Sequence, residues 1–317
     1  MHLQPPGAAD APLLSIEETG KSFGALRALD GVSLTAARGS LTILAGADGA
    51  GKSTLFRIVV GLARADQGTV RLRGQAIKRD FTPITSITGY MPERFSLYPD
   101  LTVAENLDFF ADVHRVARGR RDELKHRLLA QTGMLPFTKR RAGALSGGMK
   151  QKLALSCILL ASPELIILDE PTTGVDPLSR MEFFAIVEEL KAEGRTILMS
   201  TPYLDEAERG DRIVFLKEGR VIGGGAIADL RADFPATLWK VTPPRNPLEF
   251  QQRIAADPRL AGSVYLRGQS LRFQGEKGSA TAPLFPDCRV EPVTPTLEDI
   301  YLLMERDSTS GGDRCRP

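Results

Sequence analysis

The sequence predicts an α/β fold with a mostly parallel core sheet, an antiparallel β subdomain and a helical subdomain, followed by a small C-terminal α+β domain. Three observations predict it. The apolar run LTILA at 41–45 enters a glycine-rich turn and then a helical pattern, the strand–turn–helix order of a parallel sheet. A second apolar run, LIIL at 165–168, ends on two carboxylates. After about Leu230 the texture changes, and Pro243, Pro244 and Pro247 punctuate it.

Each element follows in order. Residues 1–12 are rich in Pro, Gly and Ala and are expected to be a disordered leader. LSIEE and GVSLTA are strand-like, and 41–45 has the unbroken apolarity of a strand buried on both faces. A helix is expected over about 53–61, with Leu55, Ile58, Val59 and Leu62 on one side. Residues 68–77 alternate and turn, as antiparallel strands do. From 101 to 160 the pattern is helical, giving a helical subdomain over about 95–160. There Thr102 and Glu105 have capping-box spacing ahead of the stripe Val103, Leu107 and Phe110. Strand 165–168 precedes a helix over 177–193, with Asp176 as N-cap, Pro177 at its first position and Gly194 closing it. RTILMS at 195–200 is a strand, and 213–222 is a hairpin turning at Glu218 and Gly219. The core domain thus spans 13–232. A smaller domain spans 233–305, with VYLRG and LRFQG as short strands, and 306–317 is expected to be a disordered tail.

Composition excludes several classes. In 317 residues, 41 Lys and Arg against 39 Asp and Glu leave a net charge of +2, whereas a nucleic-acid binder carries a large basic excess. No nucleic-acid partner is therefore expected. Cys157, Cys288 and Cys315 cannot all pair and lie far apart, which fits a reducing compartment. The most apolar stretch is interrupted by Pro163 and Glu164, short of the roughly 20 residues of a bilayer span, so any membrane role must come through partners.

Residues 46–54, GADGAGKST, fit G-x-x-x-x-G-K-[ST] between a buried strand and a helix. Gly46, Gly49 and Gly51 let the backbone wrap phosphate oxygens, and Ala47, Asp48, Ala50 and Thr54 complete the loop. The helix adds its positive N-terminal end. Lys52 would neutralise the β- and γ-phosphates, and Ser53 would ligate Mg²⁺. Past strand 165–168, Asp169 would hold Mg²⁺ through water, and Glu170 would orient or deprotonate the attacking water. LSGGMKQKL at 145–153 is a third piece: Ser146, Gly147, Gly148 and Met149 open another phosphate-cradling helix terminus. A second phosphate binder in one chain makes sense when it serves another subunit's nucleotide.

These residues resemble an ATP-binding-cassette ATPase over about 13–230. Walker A is 46–54, the signature SGGMK is 146–150, Walker B is 165–170 and a D-loop is 174–176, ending at Asp176. Phe23 resembles the aromatic that stacks on adenine. The resemblance implies a P-loop NTPase fold, ATP and Mg²⁺ as cofactors, and two cassettes dimerised head to tail. Each ATP is then held between Walker A of one cassette and the signature of the other, with closure coupled to integral-membrane permease subunits on separate chains. It also implies a peripheral location on the cytoplasmic face of the cell membrane. YMPERFSLYPDLTVAENLDFFA and the C-terminal TPTLEDIYL are similar to type-2 exporters of the drug-efflux and antibiotic-resistance group. The interval between Glu93 and Ser146 has no room for coiled-coil arms, which disfavours a soluble non-transport member of the family.

The sequence departs from the family at two catalytic positions. Glu93 stands where the family usually has the Q-loop Gln, a ligand of Mg²⁺. Pro202 stands where it usually has the switch His, and proline has neither a side-chain donor nor an N–H. His2, His114 and His126 all precede Asp169, so no shifted histidine replaces it. Asp48, where Asn is usual, adds further negative charge. The expectation is a site that binds ATP and hydrolyses it weakly, beside an intact signature that completes a partner's site in a heterodimer. The alternatives are a fully active homodimer and a non-catalytic regulatory cassette.

Overall fold

The computed structural model describes residues 12–244, 246–255, 264–275, 284–285 and 287–310. Residues 1–11 of the expected leader and 311–317 of the expected tail lie outside the described residues. The chain divides into two compact units, one ending at Ala226 and the other starting at Ile227.

In chain order, the first unit contains β1 (Leu14–Phe23), β2 (Leu26–Ala36), β3 (Leu41–Ala45), α1 (Lys52–Val59), β4 (Gln67–Leu72), β5 (Gln75–Ile77), α2 (Thr82–Thr85) and β6 (Thr88–Met91). The helices α3 (Val103–Val113), α4 (Arg118–Gln131) and α5 (Gly147–Leu159) follow. Then come β7 (Leu165–Asp169), α6 (Pro177–Ala192), β8 (Thr196–Thr201), α7 (Leu204–Ala207), β9 (Arg212–Lys217) and β10 (Arg220–Ala226).

The core is a six-stranded sheet in the order β10-β9-β3-β8-β7-β6, parallel throughout except for the β9–β10 hairpin. Every residue of β3, β7 and β8 is buried, which is why these strands carry no polar alternation. A separate antiparallel sheet, β2-β1-β4-β5, forms the β subdomain. Helix α1 joins the two: Leu55, Phe56, Ile58 and Val59 share one apolar cluster with Leu44, Ile167 and Leu198 of the first sheet and Leu14, Ile16 and Val70 of the second. Burying each such side chain contributes about 1.5–3 kcal/mol, so the helix carrying the glycine-rich loop is anchored on two sides.

The helical stretch opens on the expected cap: Thr102 Oγ1 accepts from Glu105 N at 3.2 Å, and Thr102 N donates to Glu105 Oε2 at 2.7 Å. Asp176 caps α6 by accepting from Ser179 N at 2.9 Å. Two local expectations need correction. Leu62 is 69% exposed rather than on the buried side of α1, because the helix stops at Val59 and Gly61 takes φ 76°. Phe110 is only half-buried, so the apolar stripe of α3 rests on Val103 and Leu107.

The second unit contains α8 (Ile227–Ala232), β11 (Thr237–Thr242), α9 (Pro247–Ala255), β12 (Val264–Arg267), β13 (Ser270–Gly275), β14 (Arg289–Pro292) and α10 (Leu297–Ser310). Its sheet is antiparallel in the order β12-β13-β11-β14. Helix α8, grouped by composition with the core domain, falls in this unit. Helix α10 runs through Ser310, so residues 306–310 are helical rather than tail. Thr296 starts α10: its N and Oγ1 each donate to Asp299 Oδ2 at 2.7 Å.

Candidate nucleotide site

The site is built at the carboxyl ends of β3, β7 and β8, where open α/β sheets present their ligand-binding crevice. Gly46 leaves β3 with its N–H donating to Thr201 O at 3.3 Å. A Cβ on Gly46 would lie 2.3 Å from Leu216 O, so only glycine fits between the neighbouring strands. Gly51 has φ 106°, and a Cβ there would lie 2.5 Å from Ala28 O. No side chain caps α1, so the N–H groups of its first turn, at the positive end of the helix, are left without a side-chain acceptor.

Lys52 is 3% exposed, and its Nζ donates to Gly46 O at 2.7 Å and to Ala47 O at 2.9 Å. The same Nζ lies 2.9 Å from Glu170 Oε1. The phosphate-loop cation and the Walker B glutamate, remote from each other in sequence, are thus an ion pair. Glu170 takes φ 48°, a left-handed conformation that costs a non-glycine residue of order 1 kcal/mol and is held by its surroundings. Ser200 supplies that hold. Its Oγ accepts from Glu170 N at 3.0 Å and donates to Asp169 Oδ1 at 2.7 Å. Thr173 Oγ1 donates to Glu170 Oε2 at 3.3 Å.

Asp169 is 1% exposed, and its Oδ2 is buried without a hydrogen-bond partner. That carboxylate oxygen, with the Ser53 hydroxyl and the Glu93 carboxylate that line the cavity around Lys52, offers oxygen donors of the kind that would hold Mg²⁺. On β6, burial and the adjacent Asp169 charge push the Tyr90 hydroxyl pKa up to about 12, so it stays protonated beside that carboxylate.

A cavity of about 620 Å³ is walled by Asp48, Gly49, Gly51, Lys52, Ser53, Thr54, Glu93 and Glu170 on one side and Phe23 on the other. Phe23 ends β1 with 54% of its surface exposed, an open face for a base, and Lys21 Nζ sits 5.4 Å from its ring centroid. Leu26, Arg27 and Ala28 of β2, with Thr173, Glu218 and Gly219, complete the wall. Sequence reading missed these and Ser200, because the only available signal was their position at hairpin tips and strand ends. Three acidic groups expected in the site, Asp48, Glu93 and Glu170, therefore share one cavity with Lys52.

Other expected residues are not walls of this cavity. Pro202 follows β8, whose last residue, Thr201, pairs with Ala45 and bonds Gly46 N, so position 202 leaves the sheet beside the phosphate loop. Ser146 caps α5 by accepting from Met149 N at 3.3 Å. A Cβ on Gly148 would lie 2.3 Å from Ser179 Cβ, so α5 and the start of α6 are in close contact. Gly147 is exposed, and the nearest atom to a Cβ placed there would be Gly174 O at 3.8 Å. The hydrogen bond from Ser179 N holds the Asp176 carboxyl below its usual range. Gly148 and Ser179 thus pack α5 against the start of α6, and Ser146, Gly147 and Asp176 are not among the walls of the cavity that Lys52 lines.

Residues 29–173 match the family described as ABC transporter. The chain is 39% identical over 271 residues to the probable multidrug ABC transporter ATP-binding protein YbhF of Escherichia coli (strain K12), covering 83% of this chain and 46% of that protein. It therefore spans about half the length of that relative. It is 37% identical over 226 residues to the daunorubicin resistance ATP-binding protein DrrA3 of Streptomyces coeruleorubidus, covering 69% of this chain and 70% of the relative. Among solved structures, an ATP-binding subunit of an ABC transporter superposes with a TM-score of 0.62 at 32% identity, over 70% of this chain and 93% of that one. The parallel core with its phosphate loop, the order of the motifs and these likenesses agree: the chain belongs to the ABC transporter ATP-binding family.

Proposed function

We propose that this chain is the ATP-binding subunit of a multi-subunit exporter, coupling ATP binding and hydrolysis to transport by membrane permease subunits on separate chains. One observation carries the reading. Residues of Walker A, Glu93 and Glu170 wall a single cavity, while Ser146, Gly147 and Asp176 are exposed and are not among its walls, which leaves them available to complete a second cassette's site. The multidrug and daunorubicin-resistance relatives support export as the direction.

In this reading Phe23 stacks on adenine, Lys52 and the loop N–H groups bind the phosphates, and Ser53, Asp169 and Glu93 hold Mg²⁺. Bound Mg²⁺ supplies charge neutralisation at the β- and γ-phosphates. Glu170 orients the attacking water. This chain's own site turns over weakly. Pro202 offers no donor beside the phosphate loop, and Asp48 and Glu93 add negative charge where phosphates must sit. The signature completes the active site of a more typical partner.

Among the described residues no helix is long and apolar enough to cross a membrane. We place the chain peripherally on the cytoplasmic face, with the permease on an aromatic patch of the helical subdomain. Phe95 packs on Phe110 and Tyr98 on Phe109, at centroid distances of 5.3 and 4.5 Å, with Tyr98 43% and Val113 57% exposed. The patch adjoins Glu93, which lines both the nucleotide cavity and a second cavity beside Phe95 and Gly147.

The test is a signature variant. The nearest atom to a Cβ at Gly147 is 3.8 Å away, so Gly147→Ala fits without repacking. In the assembled cassette dimer it should depress the partner site's turnover by about tenfold or more and change this chain's ATP affinity far less. Equal effects on the two would contradict the cross-subunit role.

A further inference from the structure

Glu206 on α7 is a buried carboxylate that the nucleotide site does not use. It is 2% exposed, and residues of three other segments contact it. Thr172, in the loop after Walker B, donates its Oγ1 to Glu206 Oε1 at 2.7 Å. Thr201, the last residue of β8, donates its Oγ1 to Glu206 Oε2 at 2.5 Å. Arg180 on α6 places Nε 3.2 Å from Glu206 Oε1, an ion pair without hydrogen-bond alignment. Thr172 and Thr201 are also buried, at 1% and 0% exposure, so this is an interior junction rather than a surface ion pair.

The junction brackets Pro202 on both sides. Tyr203 N donates back to Thr201 Oγ1 at 3.1 Å, and the Arg180 guanidinium lies 4.7 Å from the Tyr203 ring centroid. Thr201 also accepts Gly46 N through its carbonyl, so the hydroxyl that meets Glu206 and the carbonyl that meets the phosphate loop belong to one residue. At the other end, Arg180 lies one turn into the helix that Asp176 caps. Leu178 and Met181 flank it with 66% and 60% exposure, an apolar turn available to a second cassette. An unbroken chain of packed polar contacts therefore runs from α6 through Arg180, Glu206 and Thr201 to Gly46.

We propose that Arg180 and Glu206 are positioning residues that couple helix α6 to the phosphate loop, so that displacement of α6 by a second cassette alters how Walker A holds ATP. The proposal rests on the reading of 46–54 as the ATP site. A planar guanidinium engages the carboxylate and the Tyr203 ring together, which an ammonium does not. A buried carboxylate that loses its cation is left uncompensated, and the junction then loosens.

The experiment uses the purified full-length chain, with equilibrium binding of ATP and Mg²⁺ and hydrogen exchange read peptide by peptide. Glu206→Gln keeps the shape and removes the charge. It should raise the Kd for ATP about five- to tenfold and speed exchange at 46–54 and 176–180 as well as at 201–206, leaving strand 165–168 unchanged. Arg180→Met should do the same, the double variant should be no worse than either single one, and Arg180→Lys should restore little. The coupling is overturned if Glu206→Gln speeds exchange only at 201–206 with ATP affinity unchanged, or if the two singles add in the double. Thr172→Val, which removes one hydrogen bond and no charge, gives the same readouts should Glu206→Gln fail to fold. Lys52→Ala is the control. Unchanged ATP affinity in that variant would remove the ATP-site reading itself, whereas weakened binding there beside unchanged binding in Glu206→Gln removes only the coupling.

Discussion

Replacing Pro202 by His together with Glu93 by Gln should raise the steady-state ATPase turnover of the purified chain by about 10²–10³-fold. That is the usual cost of one missing preorganised donor to a developing charge. The rest of the catalytic wall is already assembled. Glu170 is held in its strained backbone conformation by Ser200 and Thr173, and Lys52 lies buried against it. At position 202 there is no donor, although Thr201 carries the chain directly past the phosphate loop. A histidine there would have its ring nitrogen available where proline offers carbon. Glu93→Gln removes one of the three carboxylates that share the cavity with Lys52 and restores an amide donor. Turnover should be measured beside ATP binding in both forms. If the native chain binds ATP and already turns over at the rate of the double variant, the weak-site reading is wrong and the chain works as an ordinary cassette.

Lys52→Ala should weaken ATP binding about 10- to 100-fold, the range for losing hydrogen bonds to charged groups. Two effects combine. The phosphates lose their buried cation, and Glu170, with only 11% of its side chain exposed, loses its ion-pair partner at 2.9 Å. The second effect predicts lower thermal stability without nucleotide, because a carboxylate at a left-handed position stays behind uncompensated. The first predicts a smaller thermal shift on adding ATP. Saturation at 100 times Kd stabilises the native chain by about 2.7 kcal/mol, and the variant at the same ATP concentration forfeits about half of it at tenfold weaker binding and most of it at about 100-fold. A variant with the full ATP-induced shift would contradict Lys52 as the phosphate anchor.

Much of the molecule was legible locally. The capping box at Thr102 and Glu105, the Asp176–Pro177 helix start and the turn at Glu218 and Gly219 depend on residues within four positions of one another. Local reading erred at two helix ends. Gly61 ended α1 before Leu62 could reach the core, and α10 runs on to Ser310, into a segment polar enough to suggest disorder.

By itself the sequence determined the fold class, the phosphate loop, the two carboxylates after 165–168 and the glycine pair at 147–148, because each rests on short-range spacing and on which backbone conformations glycine and proline permit. Only the tertiary structure decided that Lys52 pairs with Glu170, that Ser200 holds the Asp169 carboxylate and the Glu170 backbone N–H together, that Thr201 joins the phosphate loop to Glu206, and that Ser146 and Gly147 are not walls of the cavity around Lys52. The physical reason is the sheet order β3-β8-β7: parallel crossovers bring together strand ends that are remote in sequence, and no periodicity along the chain records which ends become neighbours.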